Sequence, residues 1–190
     1  MIEIPTLHTP RLILRGPRPD DTEAMMAALA DDDFSRFITR EGRGLSRQEA
    51  WRVVAIVNGG WFARGYSEFM VEERASGTPV GRVGPWHPEG WPDFEIGWAI
   101  FPEHQGKGYA VESAAAAMLW SHDALGRDHV VHLIDPANQA SERVAAALGS
   151  EPTGDWSLPG GGSCRIWTTR WDKFVTTQAY RQVAAAAERP

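Results

Sequence analysis

Asp93-Phe94-Glu95-Ile96-Gly97-Trp98-Ala99-Ile100-Phe101, followed by Pro102-Glu103-His104-Gln105-Gly106-Lys107-Gly108-Tyr109-Ala110-Val111, is the stretch on which the fold turns. Its first nine residues are nearly continuous in apolar and aromatic side chains and stop at a proline, which predicts a buried central strand. From Gly108 to about Leu125 the residues are small or apolar with no proline, which predicts a helix lying close on a sheet. A helix start leaves backbone N–H groups unpartnered and carries about half a positive charge from its aligned peptide dipoles. Gly106 and Gly108 let a phosphate approach that backbone and permit positive φ, and Lys107 adds a full charge. The segment therefore predicts an anion site.

Spacing separates the phosphate-loop types. A Walker loop needs Ser or Thr after its Gly-Lys, and here Gly108 follows Lys107. A dinucleotide fingerprint needs Gly or Ala where Val111 stands, and no N-terminal βαβ unit precedes this loop. What remains is Gln-x-x-Gly-x-Ala, with Gln105, Gly108 and Ala110 as fixed points, between a strand and a helix.

Working outward, Thr9 to Arg15 alternates apolar and polar residues and reads as a first strand. A helix is expected from Asp20, with Glu23 as capping-box partner, to about Ala30. Ser46 and Glu49 repeat that box ahead of Trp51, Val54, Ala55 and Phe62, read as one buried stripe, with Gly59-Gly60 ending or interrupting the helix. Tyr66 to Glu72 and Val80 to Trp86 read as antiparallel strands joined at Ala75-Ser76-Gly77-Thr78. After the long helix come a strand at His129 to Ile134 and a turn at Asp135 to Asn138. A helix from Ser141 to Leu148 then ends at Gly149. Strands near Glu151 to Leu158 and Ser163 to Arg170 flank the turn Gly160-Gly161-Gly162. The parse is one domain over 1–170 and an Ala-rich helical tail over 171–190.

The 190 residues suffice for one packed core, and 43% hydrophobic with 23% charged residues is a globular composition. The single cysteine, Cys164, excludes an intrachain disulfide and a cysteine-rich zinc cluster, and His87 and His104 lack paired metal-ligand spacing. No metal is expected. A net charge of −6 argues against a broad nucleic-acid face, and neither a signal peptide nor a membrane-spanning run is evident. A reducing cytoplasm and an amine-bearing substrate fit this balance.

With these residues in view, the chain resembles the GNAT N-acetyltransferase superfamily. The resemblance rests on Gln105-x-x-Gly108-x-Ala110, on Phe94-Glu95-Ile96-Gly97-Trp98 before it, and on Asn138-Gln139-Ala140-Ser141-Glu142-Arg143-Val144 ending at Leu148-Gly149. Thr9-Pro10-Arg11-Leu12-Ile13-Leu14-Arg15 looks like the opening of the branch that acetylates ribosomal-protein N-termini. The match covers about residues 9 to 170. It implies an α+β fold: a twisted, mostly antiparallel seven-stranded sheet with a splayed central pair and helices on both faces.

The resemblance also implies acetyl-CoA as cofactor. Its diphosphate would lie on the amides of Gln105, Gly106, Lys107, Gly108, Tyr109 and Ala110, and its pantetheine arm along Ile100 and Phe101 as an added strand. Asn138 would face the pantetheine amide. Arg143 is either a partner of the adenosine phosphates or a solvated surface residue. An N–H near Ile100 would bind the oxyanion. Relatives often use a tyrosine on the last helix, but none lies between Ser141 and Leu148. The ribosomal-protein branch is thought to use a serine at this place, so the resemblance implies Ser141 as proton donor to sulfur, with a helix N-cap as its competing role. Glu95 is the candidate base, ahead of Glu68 and Asp93.

Trp51, Trp61, Trp86, Trp91 and Trp98 lie in segments expected to border the acceptor cleft, with Trp86 and Trp91 partly exposed and most others in the core. The expected activity is acetyl transfer to a primary amine of a protein N-terminus or small molecule, by a monomer or homodimer. An inactive acyl-CoA-binding module is the alternative.

Overall fold

The computed structural model describes residues 3–158 and 162–187. The chain opens with strands β1 (Leu7–His8) and β2 (Leu12–Arg15). A single strand from Thr9 was expected. Instead Thr9 closes a tight turn, its Oγ1 accepting the Leu12 N–H at 2.8 Å and its own N–H donating to the Leu12 carbonyl. Pro10, which lacks an N–H, falls in that turn. The extra hairpin makes the sheet eight-stranded, not seven-stranded.

Three helices follow where two were expected: α1 (Asp21–Leu29), the short α2 (Asp32–Ser35, capped by Asp31) and α3 (Arg47–Arg64). The box expected at Asp20 does not form, because Asp20 is itself helical and makes no cap bond, while Glu23 pairs with Arg47. The Ser46–Glu49 box does form. Helix α3 runs through Gly59-Gly60, and Gly60 serves close packing: a Cβ there would lie 2.7 Å from Ser67 Oγ. Its buried stripe is Ala50, Val54, Val57 and Trp61, offset from the expected one. Trp51 is 58% and Phe62 85% exposed.

Strands β3 (Phe69–Glu73), β4 (Pro79–Trp86) and β5 (Glu95–Ile100) precede helix α4 (Tyr109–Leu125). Strand β6 (His129–Ile134), helix α5 (Gln139–Ala147), strands β7 (Glu151–Ser157) and β8 (Ser163–Arg170), and helices α6 (Trp171–Phe174) and α7 (Gln178–Ala187) complete the chain. Residues 160 and 161 of the glycine turn lie outside the described residues. The sheet order is β1-β2-β3-β4-β5-β6-β8-β7, and among the described residues only β5 and β6 pair in parallel.

Two cores sandwich the sheet. On one face Met25, Leu29, Phe34 and Val54 from α1 to α3 pack on Met70, Ala99 and Phe101. On the other, the α4 alanines 114, 115 and 117, all at 0% exposure, bring that helix close to Leu12, Leu14, Ile96 and Ile100. Phe174, Ala179 and Val183 join this second core, so residues 171–187 pack into the domain through α6 and α7. The α+β class and the helices on both faces agree with expectation. No described helix is long and apolar enough to cross a membrane.

Candidate active site

Strands β5 and β6 share a single backbone register pair, Glu95 with Val131, where Val131 donates to the Phe94 carbonyl at 2.9 Å. Beyond that pair they diverge, and side chains hold the gap. Glu95 Oε1 accepts the Leu133 N–H at 3.2 Å, taking the place of a strand carbonyl. From the other side His132 Nδ1 reaches the Ile96 carbonyl at 2.7 Å. A carbonyl only accepts, so Nδ1 carries the proton and Nε2 accepts from Thr169 Oγ1 at 3.1 Å. Burial pushes the His132 imidazole down to about 4, so it stays neutral at physiological pH.

Along β5 the amide of Phe101 donates to Val80 of β4. The alternation of an extended strand therefore aims the main chain of Trp98 and Ile100 into the gap. Ile100 keeps its N–H there, and its carbonyl accepts from Gln105 Nε2 at 3.0 Å. Phe101 turns its side chain into the α1–α3 core and its N–H toward β4, so Ile100 is the member of the pair that borders the gap.

The same alternation places odd and even side chains on opposite faces. Glu95, with Gly97 and Ala99, faces the α1–α3 side. Trp98 faces the other side, packs against His132 with the rings tilted and their centroids 4.8 Å apart, and donates its indole N–H to Ser141 Oγ at 3.2 Å. An indole N–H can only donate, so the Ser141 oxygen is the acceptor and its own hydrogen stays free. Ser141 is not the helix N-cap. That place belongs to Asn138, whose side-chain oxygen accepts the Ser141 N–H at 3.1 Å. Arg143, on the second turn of α5, is exposed.

Glu95 is 9% exposed, and burial is the main reason its carboxyl is pushed up to about 7. The Leu133 N–H and the Trp91 indole, which donates to Oε2 at 2.7 Å, pull it back, and nearby Glu68 raises it further. Trp91 leans edge-on against Trp156 of β7 at 4.9 Å. The Trp91 contact was not foreseen, although its place in a Pro/Gly-rich loop marked it for partial exposure, and both Trp86 and Trp91 are half-buried. Glu68 is buried, paired with Arg82, and near enough to β5 that a Cβ on Gly97 would lie 3.4 Å from its Oε1. Glu68 and Arg82 also line a narrow cavity walled by Met25, Leu29, Val54 and Met70. Asp93 lies at the rim and bonds His129 at 2.9 Å.

Past β5 a single 3-10 turn, Pro102–His104, leads into the glycine loop. Gly106 (φ 74°) and Gly108 (φ 77°) both take the left-handed region, and Gly108 is the N-cap of α4. Among the described residues the amides of Gly106 to Val111 find no acceptor, and the first amide to bond is Glu112, to Gly108. Gln105, Gly106, Lys107 and Gly108 are exposed, Ala110 half-buried and Tyr109 buried, its hydroxyl donating to Glu73 of β3. Exposed unpaired amides at the start of a 17-residue helix suit a diphosphate. Among the described residues no hydrogen bond draws Asn138 or Arg143 to this loop. Asn138 caps α5 and Arg143 lies on that helix.

Comparison with known proteins agrees with this geometry. Residues 11–151 match the family described as the acetyltransferase (GNAT) domain. The chain is 28% identical over 158 residues to the uncharacterized N-acetyltransferase YoaA of Bacillus subtilis, covering 79% of this chain and 85% of that one. An acetyltransferase from Agrobacterium tumefaciens superposes with a TM-score of 0.78 at 25% identity, covering 90% of this chain and 96% of that one. Mycobacterium smegmatis RimJ in complex with CoA-disulfide superposes at 0.72 with 18% identity, covering 97% and 94%. Glycine loop, splayed strands and family match converge: the chain belongs to the GNAT acetyltransferase family and is an N-acetyltransferase.

Proposed function

We propose that this enzyme moves an acetyl group from acetyl-CoA to a primary amine, either a protein N-terminus or a small-molecule amine, by direct attack on the thioester. The observation that carries the reading is the placement of Glu95 and Ser141 on opposite faces of the β5–β6 gap, with open main chain at Trp98 and Ile100 between them. The amides of Gly106 to Val111 would hold the cofactor diphosphate, Asn138 would face the pantetheine amide, and Arg143 would reach the adenosine phosphates. The residues fit that group, since Gly106 and Gly108 leave the main chain open to a large anion.

The amine enters on the face of Glu95, which near neutral pH is shared between its acid and carboxylate forms and takes the ammonium proton directly or through water. The amine nitrogen then bonds to the thioester carbon, and the Ile100 N–H stabilises the oxyanion. As the carbon–sulfur bond breaks, the free hydrogen of Ser141 passes to sulfur, and the proton that the attacking nitrogen sheds in becoming an amide returns to the serine oxygen through water. A branch resembling ribosomal-protein acetyltransferases remains part of this proposal, carried by Thr9 to Arg15.

The test is thiol release from acetyl-CoA over a panel of amines and N-terminal peptides, run beside Glu95→Gln and Ser141→Ala. Turnover by the wild type with loss in both variants is expected. Equal rates in all three would remove these roles.

A further inference from the structure

The motif at the chain's start is far from the glycine loop in sequence yet touches it. Glu112, four residues into α4 and buried to 2% exposure, accepts the Thr9 hydroxyl at 2.6 Å, the Arg11 N–H at 2.9 Å and Arg11 Nε at 2.7 Å. Arg11 Nη1 then donates to the Lys107 carbonyl at 2.9 Å, and the guanidinium lies over the Tyr109 ring, 5.0 Å from its centre. Among the described residues Nη2 has no partner. It lies beside Gly108, where an added Cβ would come within 3.4 Å of it. The Arg11 side chain is 46% exposed.

A buried carboxylate in the first turn of α4 opposes an anion at that helix entrance, and Arg11 cancels it. By binding the Lys107 carbonyl, Arg11 also turns that oxygen away from the loop and holds the neighbouring amides in place. We propose that Arg11 is a cofactor-binding residue of this enzyme: Nε and Nη1 fix the glycine loop, and Nη2 donates to the diphosphate of acetyl-CoA. This rests on the diphosphate reading above. A fork with several fixed donors is what a bidentate guanidinium offers and an ammonium does not.

The experiment compares kcat/KM for acetyl-CoA with that for S-acetyl-pantetheine, which lacks the diphosphate and nucleotide. Arg11→Ala lowers the ratio of the two by about tenfold to a hundredfold, the usual effect of losing a hydrogen bond to a charged group. Arg11→Lys, which keeps the charge and the aliphatic stem, lowers it as well and serves if the alanine variant does not fold. A residue that merely stabilises the domain lowers both values in parallel, and that result overturns the inference, as does an unchanged ratio in a folded variant. If the wild type itself fails to bind CoA, the diphosphate reading falls and this inference with it.

Discussion

At the downstream end of β5 the site consists of exposed main chain; at the upstream end it consists of buried side chains. The loop from Gln105 to Val111 offers amides that need only two glycines in the left-handed region and a helix behind them. The gap at Glu95 needs a carboxylate from β5, an imidazole from β6, an indole from the loop before β5 and hydroxyls on β8 and α5. The first arrangement uses contiguous residues and tolerates water. The second gathers distant residues and works by excluding water, which is what lifts Glu95 toward neutrality.

The contrast can be tested from its strongest consequence downward. Glu95→Gln is expected to lower kcat/KM by about a hundredfold or more, the usual weight of a general base, and to abolish an acid limb near pH 7. The same carboxyl affects stability. Its folded value lies above the ordinary 4.5, so its contribution is full below that value and is lost as pH rises through about 7. The loss is on the order of 3 kcal/mol. Urea unfolding at pH 5 and pH 8 reads it, and wild-type stability equal at both would contradict a desolvated carboxyl.

Gly108→Glu places a charged side chain at φ 77° on the helix entrance. A rise of roughly tenfold or more in KM for acetyl-CoA is expected from repulsion and from backbone strain of about 1–3 kcal/mol, while the pH limb set by Glu95 stays in place. A displaced limb would show that the two ends of β5 are not separable.

His132→Ala strips the buried Ile96 carbonyl of its donor, and a stability loss of about 1–3 kcal/mol is expected in denaturant titration. If instead the variant is as stable as the wild type, the imidazole does not hold the gap. Trp91→Phe keeps a smaller aromatic ring and removes the donor to Glu95, so the acid limb moves to higher pH by less than about one unit. A limb moving down would reverse the assigned role of that indole.

The same contrast explains what the amino-acid order revealed. Gln105 to Ala110 could be read because a glycine loop, a proline stop and an alanine-rich helix are local signals. Glu95 could be nominated because a carboxylate in an otherwise apolar strand is conspicuous. The Thr9–Glu112 and Arg11–Lys107 contacts span 103 and 96 residues, and no local pattern encodes them. The outward face of α3 misled for another reason: Trp51 and Phe62 are large and apolar, yet Ala50, Val54, Val57 and Trp61 are the side chains that turn inward. The extra strand arose because alternation across Thr9 to Arg15 is blind to the turn that a threonine and a proline make within it.

The lone backbone rung between β5 and β6 divides the sheet into a five-strand part and a three-strand part joined across the gap by side chains, Glu95 and His132 among them. Amide hydrogen exchange should then report two cooperative blocks in the free enzyme. Acetyl-CoA seated between them would couple their openings into one, so the ligand sets how much of the domain unfolds at a time.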